Sequence, residues 1–544
     1  MSVTQPSSAI GALFALFVAL WTASVWAQSD TRDDVAAGSA RELLGTQISG
    51  SVTSTTFAFK ESGGEVVGDV NNIDNYSRTG RLFTDLRLRL DVRRLAHSSW
   101  DTHLDGRVRL AAGCRLHPDA ERPLRAQPCG VQSGSLGGNE YDLRELWARR
   151  RGATLDLTIG RQFVPGLANL RLDGLSLASS IDKHWTLFGA LGAHPSRISR
   201  SLTSDYPFEI TANNLIGPPI IPIAVGAGAS YRHSSLFGSF GAAIIAPLAT
   251  DRDTEVMENP RVFVTDTGSY SRGSRLNIYH HIVLDLQGAG GFGFTNFSLG
   301  AHYRPTSTLT VDGALNQVDT ETLNSIVQSS GQEPNRIDQF LVYNFHDVLR
   351  VASESARLGV SLALSRQRFE ISTSAQVRRR EAFSLIVPYV RVLNVPAARN
   401  AEFQLGFLDR RSVGGFRLGL DLSAIVPFAD FGPNRSAAQI ARITAVRTFA
   451  GDRLELDIDA GYSHSADRSE QGICDAQDPN SSLICYGSAN VQVLSTNALV
   501  FLRLSRDVVA IGNLGAGVQM LRTGEVQQPP NLLLTGFVRV SYRF

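Results

Sequence analysis

Residues 531–544 read NLLLTGFVRVSYRF, and the sequence stops on Phe544. Leu532, Leu534, Gly536, Val538, Val540, Tyr542 and Phe544 fall on one face of an extended strand. Thr535, Arg539, Ser541 and Arg543 fall on the other, with Leu533 and Phe537 among them. A period of two marks a strand, because successive side chains alternate across a sheet. Soluble sheets alternate too, so the reading depends on whether the chain repeats the pattern.

It does. Residues 81–93 place Leu82, Thr84, Leu86, Leu88, Leu90 and Val92 on one face, with Arg81, Asp85, Arg87, Arg89, Asp91 and Arg93 opposite. Residues 100–110 set Trp100, Leu104 and Val108 against Asp101, His103, Asp105, Arg107 and Arg109. Residues 368–378 alternate Phe369, Ile371, Ala375 and Val377 with Arg368, Glu370, Ser372, Gln376 and Arg378. Residues 453–462 set Leu454, Leu456, Ile458 and Ala460 against Arg453, Glu455, Asp457 and Asp459. The segments run about ten to thirteen residues, twice an ordinary strand and enough to cross a bilayer at a tilt. Short connections near Ala96, Gly152, Ser234, Arg380 and Gly451 alternate with long polar ones over 61–77, 111–138, 194–219, 249–273 and 466–489. This predicts an all-β chain forming a large antiparallel transmembrane β-barrel of about 22 strands, within a range of roughly 16 to 22, with short turns at one end and long loops at the other.

The bulk numbers are compatible. The chain has 544 residues, 19% of them charged, with 52 basic against 51 acidic side chains. The net charge of +1 points away from nucleic acid as a partner. Beyond the start, no apolar run is long enough for a membrane helix. Residues 9–21 form an apolar core followed by Val25-Trp26-Ala27, which reads as an exported signal over 1–27, although no Lys or Arg precedes the core. Residues 28–44 then form a periplasmic lead-in, with one short helix expected over 33–43, and the barrel occupies 45–544. That lead-in is too short for the folded plug of a TonB-dependent receptor.

Cys114, Cys129, Cys474 and Cys485 fall as two local pairs in polar loops, and an exported protein favours loop-closing disulfides there over free thiols. Residues 319–351 break the alternation; a short helix is expected over 320–329, with the segment on the short-turn side or folded into the lumen. No P-loop, HExxH, GxSxG or CxxC occurs, so the reading is non-enzymatic, without cofactor or metal. His280 and His281 are adjacent, hence on opposite faces and a poor metal pair.

The terminal aromatic strand resembles the closing strand of bacterial outer-membrane β-barrels. That resemblance implies that Phe544 is read by the barrel-assembly machinery, and that outer-membrane lipid surrounds the chain. Residues 145–164, ELWARRRGATLDLTIGRQFV, resemble porin-like barrels at Gly160-Arg161-Gln162, which carries over Arg161 as a lumen or rim contact. The polar faces then supply candidate pore-lining residues: Arg81, Asp85, Arg87, Arg89, Asp91, Arg107, Arg109, Arg161, Arg368, Arg378, Glu455, Asp457 and Asp459. Such a wall admits small polar or anionic solutes by passive diffusion; alternatively its charges pair and only make the interior hydrophilic. An occluded structural or adhesive barrel and a soluble exported all-β protein are the other readings.

Overall fold

The structure is a computed structural model. It describes residues 41–43, 46–63, 80–112, 140–195, 202, 205–206, 208–210, 216–219, 221–248, 260–287, 292–323, 348–365, 368–381, 383–386, 392–395, 397–428, 436–467, 489–523, 526–527 and 530–544. The first strands are β1 (Thr46–Gly63), β2 (Gly80–Arg93), β3 (Trp100–Ala112), β4 (Glu140–Arg150), β5 (Leu155–Val164), β6 (Leu170–Ser180) and β7 (Trp185–Ala193). The wall continues through β8 (Ile221–His233), β9 (Leu236–Leu248), β10 (Arg261–Arg272), β11 (Leu276–Gln287), β12 (Gly293–Tyr303), β13 (Leu309–Leu323), β14 (Val348–Leu364) and β15 (Phe369–Arg380). It ends with β16 (Ala398–Val413), β17 (Phe416–Pro427), β18 (Ser436–Phe449), β19 (Leu454–Asp467), β20 (Ala489–Arg503), β21 (Val508–Thr523) and β22 (Asn531–Arg543).

Each strand pairs antiparallel with the next, and β22 returns to β1, so 22 strands close into a transmembrane barrel. Closure gives each of the 22 strands a paired neighbour on both sides, the condition for a sheet to stand in hydrocarbon. The outer rows are apolar and exposed, as at Leu187, Phe240, Leu358, Ile443, Leu494 and Val538. They form a lipid-facing belt, with the Trp185 and Tyr231 rings in tilted contact, centroids 5.0 Å apart, near its lower margin. The lower connections are tight. Gly414 and Gly415 turn between β16 and β17 at φ +63° and +86°, where a side chain would be strained. In the turn before β7, Asp182 accepts the His184 and Trp185 backbone N–H groups at 2.6 and 2.7 Å. These bonds hold its carboxyl below the usual range.

The seam depends on the last residue. The Gly50 N–H donates to the Phe544 carbonyl at 2.8 Å, and the Phe544 N–H donates to the Gly50 carbonyl at 3.1 Å. The Phe544 ring lies over Gly50, where a Cβ would come 2.7 Å from its Cζ. Deleting Phe544 removes both bonds and the ring contact, with an expected cost of about 2 kcal/mol. A lowered urea midpoint of the folded barrel checks this; an unchanged midpoint would rule out a role in the seam.

Several expectations need correction. Residues 41–43 are a strand laid on Thr46–Ile48 and not the end of a helix. Residues 261–272 are β10 and not loop. The short turn before β15 spans 365–368, so Arg380 ends a strand at the long-connection end. Residues 319–323 and 348–351 belong to β13 and β14, which pair continuously from Leu309–Leu362 to Leu323–Val348. This excludes the helix start at Thr320 and places the break at the long-connection end. Residues 324–347 lie outside the described residues. The disulfides are corrected as well: no two cysteines stand near bonding distance, and all four positions lie outside the described residues. A bond needs Cα atoms about 4.4–6.8 Å apart, which membership of one long loop does not impose.

Candidate functional site

Among the described residues the wall is interrupted at one place. β4 and β5 pair only between Leu146–Arg150 and Leu157–Arg161. Above that point the β5–β6 hairpin leaves the wall and folds into the barrel. Gly160, at φ +119°, marks the bend. Its tip, the turn Pro165–Leu167, touches β8, β9 and β10, on the far side of β6 and β7. Val164, Leu167, Leu170 and Leu172 pack there on Ala190, Ala224, Ala243, Ile245, Phe263 and Val283. Leu167, Leu170 and Leu172 are fully buried. The approach requires bare backbone beneath Leu167: a Cβ at Gly226 or Gly241 would come 2.5 or 2.8 Å from its methyl carbons. An apolar core thus stands inside the barrel, against one side of its wall.

The opposite face of the tip carries charge. Arg161 donates to both Asp173 oxygens at 2.6 and 2.5 Å, to Asp205 at 2.5 Å and to the Leu143 carbonyl at 3.1 Å. Arg171 donates to the same carbonyl at 2.8 Å. Its other contacts are Asp142 at 3.8 Å and Asp205 at 3.7 Å. The two guanidiniums replace the β5 ladder that β4 lacks at this height. Tyr206 donates to Asp173 at 2.6 Å. Burial, then the Asp173 carboxylate, push its phenol above the usual range, so it remains a neutral donor. With Arg107 at 3.9 Å from Asp142, three arginines stand among three aspartates. Asp205, its side chain 3% exposed, ties the β7–β8 connection onto the tip.

Other inner-row charges pair across strands. Arg87 holds Asp105 at 2.8 and 2.5 Å, and Arg109 holds Asp85 at 2.6 and 2.8 Å. Asp91 lies 3.6 Å from Arg89 and 2.6 Å from the His103 ring, which stacks on Trp147. Arg81 opens this row, opposite Phe59. Arg378 meets Glu402 at 3.7 Å, Glu455 meets Arg417 at 3.4 Å, and Asp459 meets Arg442 at 3.0 Å. Asp457 lies between those two acids on the same row, with a buried Oδ1. Arg368 belongs to the lower turn, 3.4 Å from Asp409, at the rim and away from mid-wall. His103, Asp105 and Glu145 stand close enough to suggest a metal site. However, both Asp105 oxygens are taken by Arg87. The inner face over β13–β18 holds a recess of about 300 Å³, lined by Asp312, Arg357, Ser361, Ser374, Asp421 and Arg442.

The candidates named from sequence on β2, β3 and β19 stand on inner rows, and the sequence reading missed Asp142, Arg171, Asp173, Asp205, Arg357 and Arg442. Arg357 and Arg442 lie on strands of the same period and were findable. Asp205 lies in a connection, and nothing local marks its pairing with Arg161.

No family description and no curated protein matches the chain. Among solved structures it is similar to OpdL of Pseudomonas aeruginosa, with TM-score 0.37 and 11% identity over 91% of this chain and 98% of that one. OccAB3 of Acinetobacter baumannii gives 0.36 and 10% over 91% and 99%. A ferric enterobactin receptor, PfeA, solved in complex with BCV-L6, gives 0.45 and 8% over 91% and 81%. Likeness at this level assigns no activity. The architecture, a closed antiparallel barrel with an apolar outer belt, is that of bacterial outer-membrane barrels.

Proposed function

We propose that the protein is an outer-membrane diffusion channel for small polar and anionic solutes, narrowed by the infolded β5–β6 tip. One observation carries this reading. Arg87, Arg89, Arg378 and Arg442 are on the inner rows, yet their side chains are 43%, 56%, 55% and 51% exposed. Guanidiniums that accessible need water beside them, so the lumen away from the tip is wet. Pairing with carboxylates blunts the positive field without cancelling it at each guanidinium, which favours a modest preference for anions. The pore-lining role belongs to these residues, with Arg81, Asp85, Asp91, Arg107, Arg109, Glu455, Asp457 and Asp459 along the same rows. Arg161 acts from the tip and Arg368 from the rim. Phe544 serves assembly through the seam that it closes.

The test is conductance of the purified chain in a planar bilayer. Stable open steps with anions more permeant than cations are expected. Arg89→Glu should move the permeability ratio about two-fold toward cations. Insertion without open steps would mean that the apolar core and the long connections occlude the lumen, and the protein would then be a closed structural barrel.

A further inference from the structure

Among the described residues the outer belt carries one ionisable pair at mid-height. Asp266 is the sixth residue of β10, between Val264 and Gly268 on the lipid-facing row. His280 lies opposite Gly268 on β11, between Ile278 and Ile282. The His280 Nε2 and an Asp266 oxygen are 2.9 Å apart, with side chains 35% and 46% exposed. Neither makes another hydrogen bond among the described residues. Other ionisable groups that regular pairing sets on the outer rows of the described residues lie toward the strand ends. Lys60, Arg379 and His464 are near the upper rim, and Arg150 and Arg447 near the lower. There they reach headgroups and water, which Asp266 and His280 cannot do.

An ionisable pair facing hydrocarbon in mid-bilayer is costly and is kept where protein covers it. We propose that the wall over β9–β12 docks a second copy of this chain through Asp266 and His280. The pair is self-complementary. It spends one oxygen and one ring nitrogen on its own bond, which leaves Asp266 Oδ1 and His280 Nδ1. Across a two-fold axis, a protonated imidazole of each copy donates through Nδ1 to the carboxylate of the other. Four groups then close into one net-neutral ring. The relief around the pair is self-complementary too. Phe240, opposite Asp266, projects outward at 56% exposure. Gly238, opposite Gly268, has open space where its Cβ would be. One copy's phenyl ring fits the other's hollow. A copy of this chain brings this chemistry at this depth, and lipid tails do not.

The test uses the full chain extracted in mild detergent. A dimer by light scattering is expected, and D266L/H280L should run as a monomer. The double leucine variant makes the belt uniformly apolar, so its heat-modifiable folding and conductance should remain those of the parent. This separates the dimer from the channel reading. In native membranes, a photo-crosslinking p-benzoylphenylalanine at position 240 should join two copies at least tenfold better than one at Leu494, on the opposite wall. A monomeric parent, a variant that still dimerises, equal crosslinking at both positions or crosslinking at 240 to a different protein would each overturn the proposal.

Discussion

Arg161→Ala is expected to raise the single-channel conductance several-fold and to make the open level noisy. Arg161 is the hub that joins Asp173, Asp205 and the Leu143 carbonyl. Without it two carboxylates are left in a water-poor site, and Asp205 is almost wholly buried. Breaking a buried pair by removing one partner costs about 3–5 kcal/mol. The barrel need not bear that cost, because the tip can relieve it by leaving its seat, and the lumen widens as it goes. The ring of strands is untouched, so heat-modifiable folding is retained. Arg161→Lys should fall between parent and alanine variant, since an ammonium keeps the charge but cannot make the forked bond to Asp173 while reaching Asp205. Planar-bilayer recordings decide it; unchanged conductance in Arg161→Ala would show that the tip is not a constriction.

Leu167→Asp should produce the same release from the opposite face. Leu167 is fully buried over Gly226 and Gly241, and its truncation alone would cost about 2–5 kcal/mol. A carboxylate at that position has no partner in the apolar cluster, so the tip cannot stay docked. Limited trypsin digestion reads the event directly: the bond after Arg171, buried in the parent, becomes cleavable while the rest of the wall resists. Both substitutions undock one element. In the double variant their effects on conductance should therefore fail to add, and simple additivity would mean two separate gates. A parent-like digestion pattern in Leu167→Asp would show that the cluster does not hold the tip.

The strands were legible because the bilayer imposes a strong local rule. Where one face meets hydrocarbon and the other meets water, every second residue must change character, as in Leu86, Leu88 and Leu90 against Arg87, Arg89 and Asp91. The rule weakens wherever both faces see the same medium. It therefore failed at the tip, where both faces of the hairpin are inside. Residues 155–159 alternate as wall, but the same period continues through Arg161 and Val164 with its sense inverted. The row that faces lipid below Gly160 faces the lumen side above it. The resemblance at Gly160-Arg161-Gln162 carried over one contact and did not indicate a bend.

The sequence by itself determined the antiparallel transmembrane barrel and the even number of its strands. Each of these follows from a period of two read within single segments. Only the tertiary structure decided which charges neutralise which, that a hairpin leaves the wall to narrow the lumen, and that Asp266 and His280 meet on the lipid side. Those outcomes depend on register between neighbouring strands and on contacts between residues far apart in the chain, such as Arg161 with Asp205 and Leu167 with Gly241. Alternation records which face a side chain takes, but it carries no information about what stands across from it.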